Sequence, residues 1–366
     1  MRETLRAALP SVASIVTSLL VCFVAVAVLR GGLEVALDAF LAMTWGAFGD
    51  FPKFFDGASS AVLLRPLGES ATKAALLTLT GLSVAVAFRV GLFNIGAQGQ
   101  LVVGALAAAV VGAAVELPAV AHLTLSLLAA AGAGALYALG PALLKRYRGV
   151  HEVISTIMLN WVAVSLVENW LVTGPLRAVT SGDNSIAGTA QIHDSAALPR
   201  LVGDVSRLNA GILLAVLAAV VLWLWLSRFT GGFEWRAIGA NPAAAEASGM
   251  NVGRSFVSAM LVSGALAGLA GAVLILGTEQ RYPATIGAPY GFDGIAMALI
   301  GNGHPLGVLA SSLLFGGLRA GGTRMQLFGV HKSFPELIQG LALLLVAARL
   351  VWLKLSAKVL PPKGGA

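Results

Sequence analysis

Charge is scarce in this chain of 366 residues: only 11% are Asp, Glu, Lys or Arg, against roughly a quarter in an ordinary soluble domain. That shortage excludes a soluble globular protein. Cysteine is nearly missing too. The one thiol, Cys22, sits inside an apolar run, which excludes a disulfide framework and any cysteine-based metal site. No G-x-x-x-x-G-K-[ST] phosphate loop occurs, so ATP is not bound here by that device. His151-Glu152 begins like a zinc-protease motif, but Ser155 stands where H-E-x-x-H needs its second histidine, so no metal ligand set is expected. The net charge is +7, yet no dense Lys/Arg tract is interleaved with aromatics, and no nucleic-acid groove is expected.

What remains is abundantly apolar. Hydrophobic residues make up 57% of the chain and the mean hydropathy is +0.86, so the solvent for most of it is lipid. At about 20 residues per span, apolar segments fall near 11–29, 70–88, 101–115, 120–143, 154–172, 209–226, 255–277, 290–303, 305–322 and 334–353. The pattern predicts an all-α polytopic membrane protein of about ten transmembrane helices, forming a single transmembrane domain over 1–366. The first run follows Arg2 and Arg6 and is longer than a signal-peptide core, which reads as an uncleaved anchor. With the N-terminus inside, the basic clusters Lys145, Arg146 and Arg148, then Arg228, Arg236 and Arg254, then Lys354, Lys358 and Lys363 all fall on the cytoplasmic side. An even span count returns the C-terminus to the same side. Loops 30–69 and 173–208 then lie outside. The first is dense in aromatics (Phe40, Trp45, Phe48, Phe51, Phe54, Phe55), fitting either the headgroup level or packing over helix ends. The second is polar, with Asp183, Asn184, His193, Asp194 and Asp204.

Membrane helices gain little from hydrophobic contact with each other, and close approach relies on small residues. Forty-four glycines meet that need. Gly264 and Gly268 stand four apart, with Ala267 and Gly271 on the adjoining stripe; Gly132, Gly134 and Gly140 mark the fourth span. More informative is Arg89–Gln100 (RVGLFNIGAQGQ), which interrupts apolar sequence. Irregular backbone at membrane depth survives only where protein or a water-filled cavity satisfies it. Asn94 suits an N-cap with Gln98 near it on the first turn. The segment reads equally as a break lining a polar path or as a tight turn capping the third span. A second polar set, His151, Glu152, Ser155, Thr156 and Asn160, opens the fifth span. Asn241, Pro242 at the first helical position, an alanine run and then Gly249 read as a short bounded helix that must dock on something.

Three segments together resemble one family: the membrane permeases of bacterial ATP-binding-cassette importers for branched-chain amino acids, simple sugars and nucleosides. Within it the chain looks closest to the nucleoside and simple-sugar branch served by basic-membrane-protein-type binding lipoproteins. The carrying motifs are GLFNIGAQGQ (91–100), EVISTIMLNW (152–161) and GANPAAAEASGM (239–250) continuing into SGALAGLAGA (263–272), with YGFDGIAMALIG (290–301) and HPLG (304–307) as a fourth match. The likeness covers about residues 60–350. It implies a ten-helix subunit of the vitamin B12-importer type (type II). It further implies a second permease, an ATPase subunit that binds the ATP, an extracytoplasmic substrate-binding protein, and a location in the bacterial inner membrane with both termini cytoplasmic. Residues 239–250 match the coupling helix that contacts the ATPase, with Gly239, Asn241, Glu246, Ser248, Gly249 and Met250 as its contact residues. Glu246 stands where many relatives carry a basic residue, and Gln98 where acidic residues are common.

The expected function is therefore a translocation path for a nucleoside or simple sugar, with Asn94, Gln98, Ser155 and Asn160 as its polar lining, no cofactor of its own and no catalytic residue. Two other classes compete. An ion-gradient-driven transporter would use Asp293 and Glu168 for protons or sodium. An intramembrane enzyme would need Ser155 activated by His151, with no third orienting group in sight.

Overall fold

The computed structural model describes residues 2–178, 188–331 and 333–348; Asp183, Asn184 and the basic residues Lys354, Lys358 and Lys363 lie outside the described residues. Fourteen α-helices are present among the described residues. They are α1 (Arg2–Arg30), α2 (Leu33–Phe48), α3 (Phe51–Phe55), α4 (Ala61–Arg89), α5 (Ala97–Ala114), α6 (Ala119–Arg148), α7 (Glu152–Leu166), α8 (Gly211–Arg228), α9 (Thr230–Ala240), α10 (Pro242–Ala247), α11 (Val252–Leu274), α12 (Tyr290–Ile300), α13 (Pro305–Met325) and α14 (Phe334–Ala347). No strand forms among the described residues, only two isolated bridges. Seven helical stretches are long and apolar enough to cross a membrane: those of α1, α4, α5, α6, α7, α8 and α11. The chain is thus an all-α polytopic membrane protein, with α12 and α14 as shorter apolar helices.

Burial sorts the helices into an inner and an outer set. The apolar windows of α4 and α11 are 83% and 78% buried, whereas those of α1, α6 and α8 stay below 30%. The outer helices leave Leu, Val and Trp side chains on the surface, as lipid-facing helices do. Small residues bring the inner ones together. A β-carbon on Gly268 would overlap the Ala130 carbonyl, one on Gly104 would overlap Gly268, and one on Gly271 would overlap the Leu101 carbonyl. Gly268 therefore sits where α5, α6 and α11 meet, while Gly271 on the adjoining stripe faces α5. Gly134 joins this seam opposite Gly264, but Gly132 faces open space and Gly140 meets only Leu159.

The loops cluster at two ends. At the basic end, Arg89 donates from Nε to the Gly303 carbonyl (2.9 Å), and the Arg146 side chain lies against Gly253. At the opposite end, residues 188–210 lie over the helix tips through backbone bonds from Ile192 to Gln280, His193 to Gly112 and Leu198 to Leu276. There His122, fully buried, hydrogen-bonds Ser195 and the Val111 carbonyl. The aromatic stretch 30–69 contains two helices. In α2, Ala36, Ala39, Ala42, Met43 and Gly46 are buried and Gly46 packs on Gly321 of α13. Phe40 meets Phe23 edge-on at 5.3 Å, while Phe51, Phe54 and Phe55 of α3 are exposed.

Two spans finish in wide π-helical turns, Val167–Leu171 after α7 and Ile275–Glu279 after α11, a geometry that recurs at functional sites. Beyond the second, Gln280 takes a left-handed φ of 56°, and the chain turns back into the bundle to begin α12. Its 11 residues cover about 16 Å, half of a hydrocarbon core of about 30 Å, before the chain reaches the basic end at Gly303.

Candidate functional site: a helix break, a half-helix and a short helix pair

The break at 90–96 is held by amide side chains. Helix α5 starts at Ala97, and its N-cap position is Gly96. Asn94 lies two residues earlier and accepts the Gly96 N–H at 2.9 Å in an Asx turn. Its Nδ2 donates to Gln100 Oε1 (2.9 Å) and to Ser263 Oγ (2.8 Å), while Ser263 donates to the Ser83 carbonyl (2.6 Å). Asn94 is therefore partnered with Gln100 rather than Gln98, because the cap falls at Gly96 and moves the first turn along. On the other side of the break, Asn160 of α7 accepts the Gly99 N–H (2.8 Å) and donates to the Ile95 carbonyl (2.7 Å). One side chain thus does for an interrupted backbone what helix continuation does elsewhere.

Gln98 points to α12, where its Oε1 accepts the Gly291 N–H at 2.7 Å. Gly291 is required there: a β-carbon would overlap the Gln98 backbone. Ser155 donates to the Glu152 carbonyl (3.1 Å) and Thr156 to the same carbonyl (2.8 Å). Asn94, Gln98, Ser155 and Asn160 are all buried. Three of them are brought together around the break. Ser155 is spent within its own turn and is not paired with His151, whose nearest acidic contact is Glu152 at 4.0 Å. Glu152 itself pairs with Lys145 at 2.8 Å.

Charges that sequence reasoning undervalued surround the start of the half-helix. Asp293, in the first turn of α12, pairs with Arg319 of α13 at 2.6 Å and accepts from Gln339 of α14 at 2.8 Å. Both members of the pair are buried, with side chains 8% and 11% exposed. Arg319 also reaches Glu336 at 3.5 Å and lies 5.9 Å from the centre of the Tyr290 ring, and Lys73 of α4 donates to the Arg319 carbonyl. Glu168, in the first π turn, accepts the hydroxyl of the fully buried Tyr282 (3.1 Å) and the Ile286 N–H (2.9 Å). It fixes the returning segment that leads into α12. The available signal for Arg319 was an arginine amid glycines within an apolar run, since an ionisable residue in a span almost always has a partner.

At the basic end, α9 and α10 form a short helix pair. Asn241 accepts the Ala244 N–H (3.1 Å), Pro242 opens α10, and Gly249 leaves it at a left-handed φ of 84°. The Ser248 hydroxyl returns to the Ala244 carbonyl (2.9 Å). Glu246 is exposed and Met250 half-buried. Gly239 meets the break directly, since a β-carbon on it would overlap the Arg89 carbonyl. Nearby His304 is held below its ordinary histidine value, first by burial and then by Arg89. No cluster of three or more His, Cys, Asp or Glu that could hold a metal exists among the described residues.

The break, the half-helix and the short pair share one contact network. Comparison gives the family. The branched-chain amino acid transport system / permease component family matches residues 67–347, and the chain belongs to it. It is similar to the guanosine ABC transporter permease protein NupP of Bacillus subtilis, 43% identical over 77% of this chain and 81% of that protein. It is also similar to the glucose ABC transporter permease protein TsgB13 of Haloferax volcanii (37%; 76% and 75%) and the nucleoside ABC transporter permease protein NupB of Lactococcus lactis (31%; 78% and 80%). NupQ, a second guanosine ABC transporter permease protein of Bacillus subtilis, matches at 28% over 72% of this chain and 83% of its own length. No solved structure matches.

Proposed function

We propose that this chain is the pathway subunit of an ATP-driven importer, carrying a nucleoside or simple sugar across the inner membrane. In this reading a second permease pairs with it, a separate ATPase supplies the energy, and an extracytoplasmic binding protein delivers the solute. The seven long spans, α13, α14 and the returning segment 280–289 continued by the half-helix α12 make the ten crossings of a type II importer. The basic end faces the cytoplasm with both termini, and the stretch 239–250, from the end of α9 through α10, forms the surface on which the ATPase pushes, through Gly239, Asn241, Glu246, Ser248, Gly249 and Met250.

One observation carries the proposal. Gly239 at the base of the short pair and Gly91 in the break touch backbone to backbone, and the same break grips the half-helix through Gln98 and Gly291. Force on α10 therefore reaches the membrane interior through rigid contacts, and differential binding of the ATPase to two arrangements of this unit drives transport. Asn94, Gln98, Ser155 and Asn160 belong to the wall of the path and maintain its shape. Two features support a neutral polar solute. Relatives named for guanosine, nucleosides and glucose lie at 31–43% identity, and the buried carboxylates are already engaged: Asp50 with Lys53, Glu152 with Lys145, Glu168 with Tyr282 and Asp293 with Arg319. An ion-gradient mechanism would leave such groups free to titrate or bind a cation.

The test uses the full chain coexpressed with its ATPase, the second permease and the binding protein. Gly249→Trp and Asn241→Pro are each expected to abolish uptake and solute-stimulated ATP hydrolysis while the permease still inserts at wild-type level. Normal uptake by both variants removes the coupling assignment, and uptake in vesicles without ATP under an imposed ion gradient overturns the ATP-driven reading.

A further inference from the structure

Helices α8 and α11 approach each other at one end. At the end away from the basic loops, Gly211 packs on Val273 and Asn209 donates to the Gly277 carbonyl (3.2 Å). Toward the basic end the two helices enclose a cleft of about 960 Å³, at the upper end of the range for a ligand site. Its depth runs from Met250 and Arg254 at the mouth to Val221 and Val262. Val262 lies ten residues into α11, about 15 Å along the axis, which is half the thickness of the hydrocarbon core and hence one leaflet.

The lining changes character along that axis. Val221, Leu222 and Val262 form the deep part, which offers water nothing to bond. Trp225 and Trp235 stand edge-on at 6.1 Å between that part and the mouth, as aromatic residues do at headgroup level. Arg254 lines the mouth and is exposed, with no carboxylate partner among the described residues. Arg146 lies against neighbouring Gly253, and Arg228 ends α8. Glu234 lines the α9 wall without pairing with Arg254, so the lining itself carries one unpaired arginine and one glutamate, with Arg146 and Arg228 outside it.

We propose that this cleft is a binding site for an anionic phospholipid of the inner leaflet, with an acyl chain between α8 and α11 and the phosphate at Arg254. Only the assignment of leaflet rests on the proposed function. The occupant follows from the match of one-leaflet depth, an apolar deep part and an exposed, unpaired arginine at the mouth. Because Ser248, Gly249, Met250 and Asn251 form part of the rim, the bound lipid also braces the far side of α10, and its loss would alter how α10 responds to load.

The probe is a photoactivatable phosphatidylglycerol in nanodiscs containing the full chain. Crosslinks are expected in peptides carrying 221–225 and 254–262, displaced by unlabelled phosphatidylglycerol and not by phosphatidylcholine. Val262→Trp, which fills the deep part, should lower this labelling at least tenfold. Arg254→Glu should weaken the preference for the anionic lipid at least fivefold, the effect of about one basic residue near an anionic surface. The wild-type crosslink map needs no variant to fold, and it involves neither ATP nor uptake, so its failure is separate from failure of the transport reading. Crosslinks spread evenly over the outer faces of α1, α6 and α7, or displacement by phosphatidylcholine just as readily, would overturn the proposal. Labelling of the cleft that vanishes when the ATPase binds assigns it to that subunit and overturns the proposal equally.

Discussion

Replacing Asn94 by leucine separates holding the break from touching the solute. The side chain makes four hydrogen bonds: one from the Gly96 N–H, two with the Gln100 amide at 2.9 and 3.2 Å, and one to Ser263 at 2.8 Å. Asn94 is fully buried, so no solvent replaces them. Side-chain hydrogen bonds within membrane proteins average about 0.6 kcal/mol by double-mutant cycles, which makes the loss about 2.5 kcal/mol. Leucine is of similar volume, and little cavity term is added. The assay is reversible unfolding in mixed micelles, paired with uptake kinetics. Asn94→Leu should unfold about 2.5 kcal/mol more readily and lower the maximal uptake rate without a selective rise in KM. Asn94→Asp keeps the acceptor for Gly96 and should recover part of the stability. A cycle of Asn94→Ala with Ser263→Ala should give a coupling near 0.6 kcal/mol. Wild-type stability in Asn94→Leu together with a raised KM would refute the reasoning and place Asn94 against the solute.

Two further outcomes follow from burial. Arg319→Met leaves the Asp293 carboxylate buried without its ion partner and should cost about 3–5 kcal/mol, whereas the double variant Arg319→Met/Asp293→Leu should recover most of that loss; a double variant as unstable as the single one would show that the pair is not the dominant contact, as read by the same unfolding assay. Gly268→Leu drives a side chain into Ala130 and Gly134, and overpacking of about 1–3 kcal/mol should lower the thermal midpoint, while Gly132→Leu, facing open space, should leave it unchanged.

Much of the architecture was legible because the relevant physics is local. A run such as α11 is both long and apolar, and Asn241-Pro242 with Gly249 marks both ends of α10 through backbone preferences that need no neighbour. The glycine stripe of α11 was legible for the same reason, as helical spacing alone puts Gly264 and Gly268 on one face. Its partner was not. Gly132, Gly134 and Gly140 look equivalent in sequence, and only the crossing of α6 with α11 selects Gly134. The aromatic stretch 30–69 likewise concealed α2, because its alanines and Gly46 signal burial only once α13 is beside them.

Composition and spacing determined that this chain lives in lipid, that it carries no phosphate loop, and where its backbone is interrupted, since each of these depends on residues near one another along the chain. Tertiary structure decided which polar groups meet: Asn94 with Gln100 and Ser263, Gln98 with Gly291, and Asp293 with Arg319. In a medium without water a buried donor can find its acceptor only inside the protein. Helices far apart in sequence supply those acceptors, and no local pattern records which of them will.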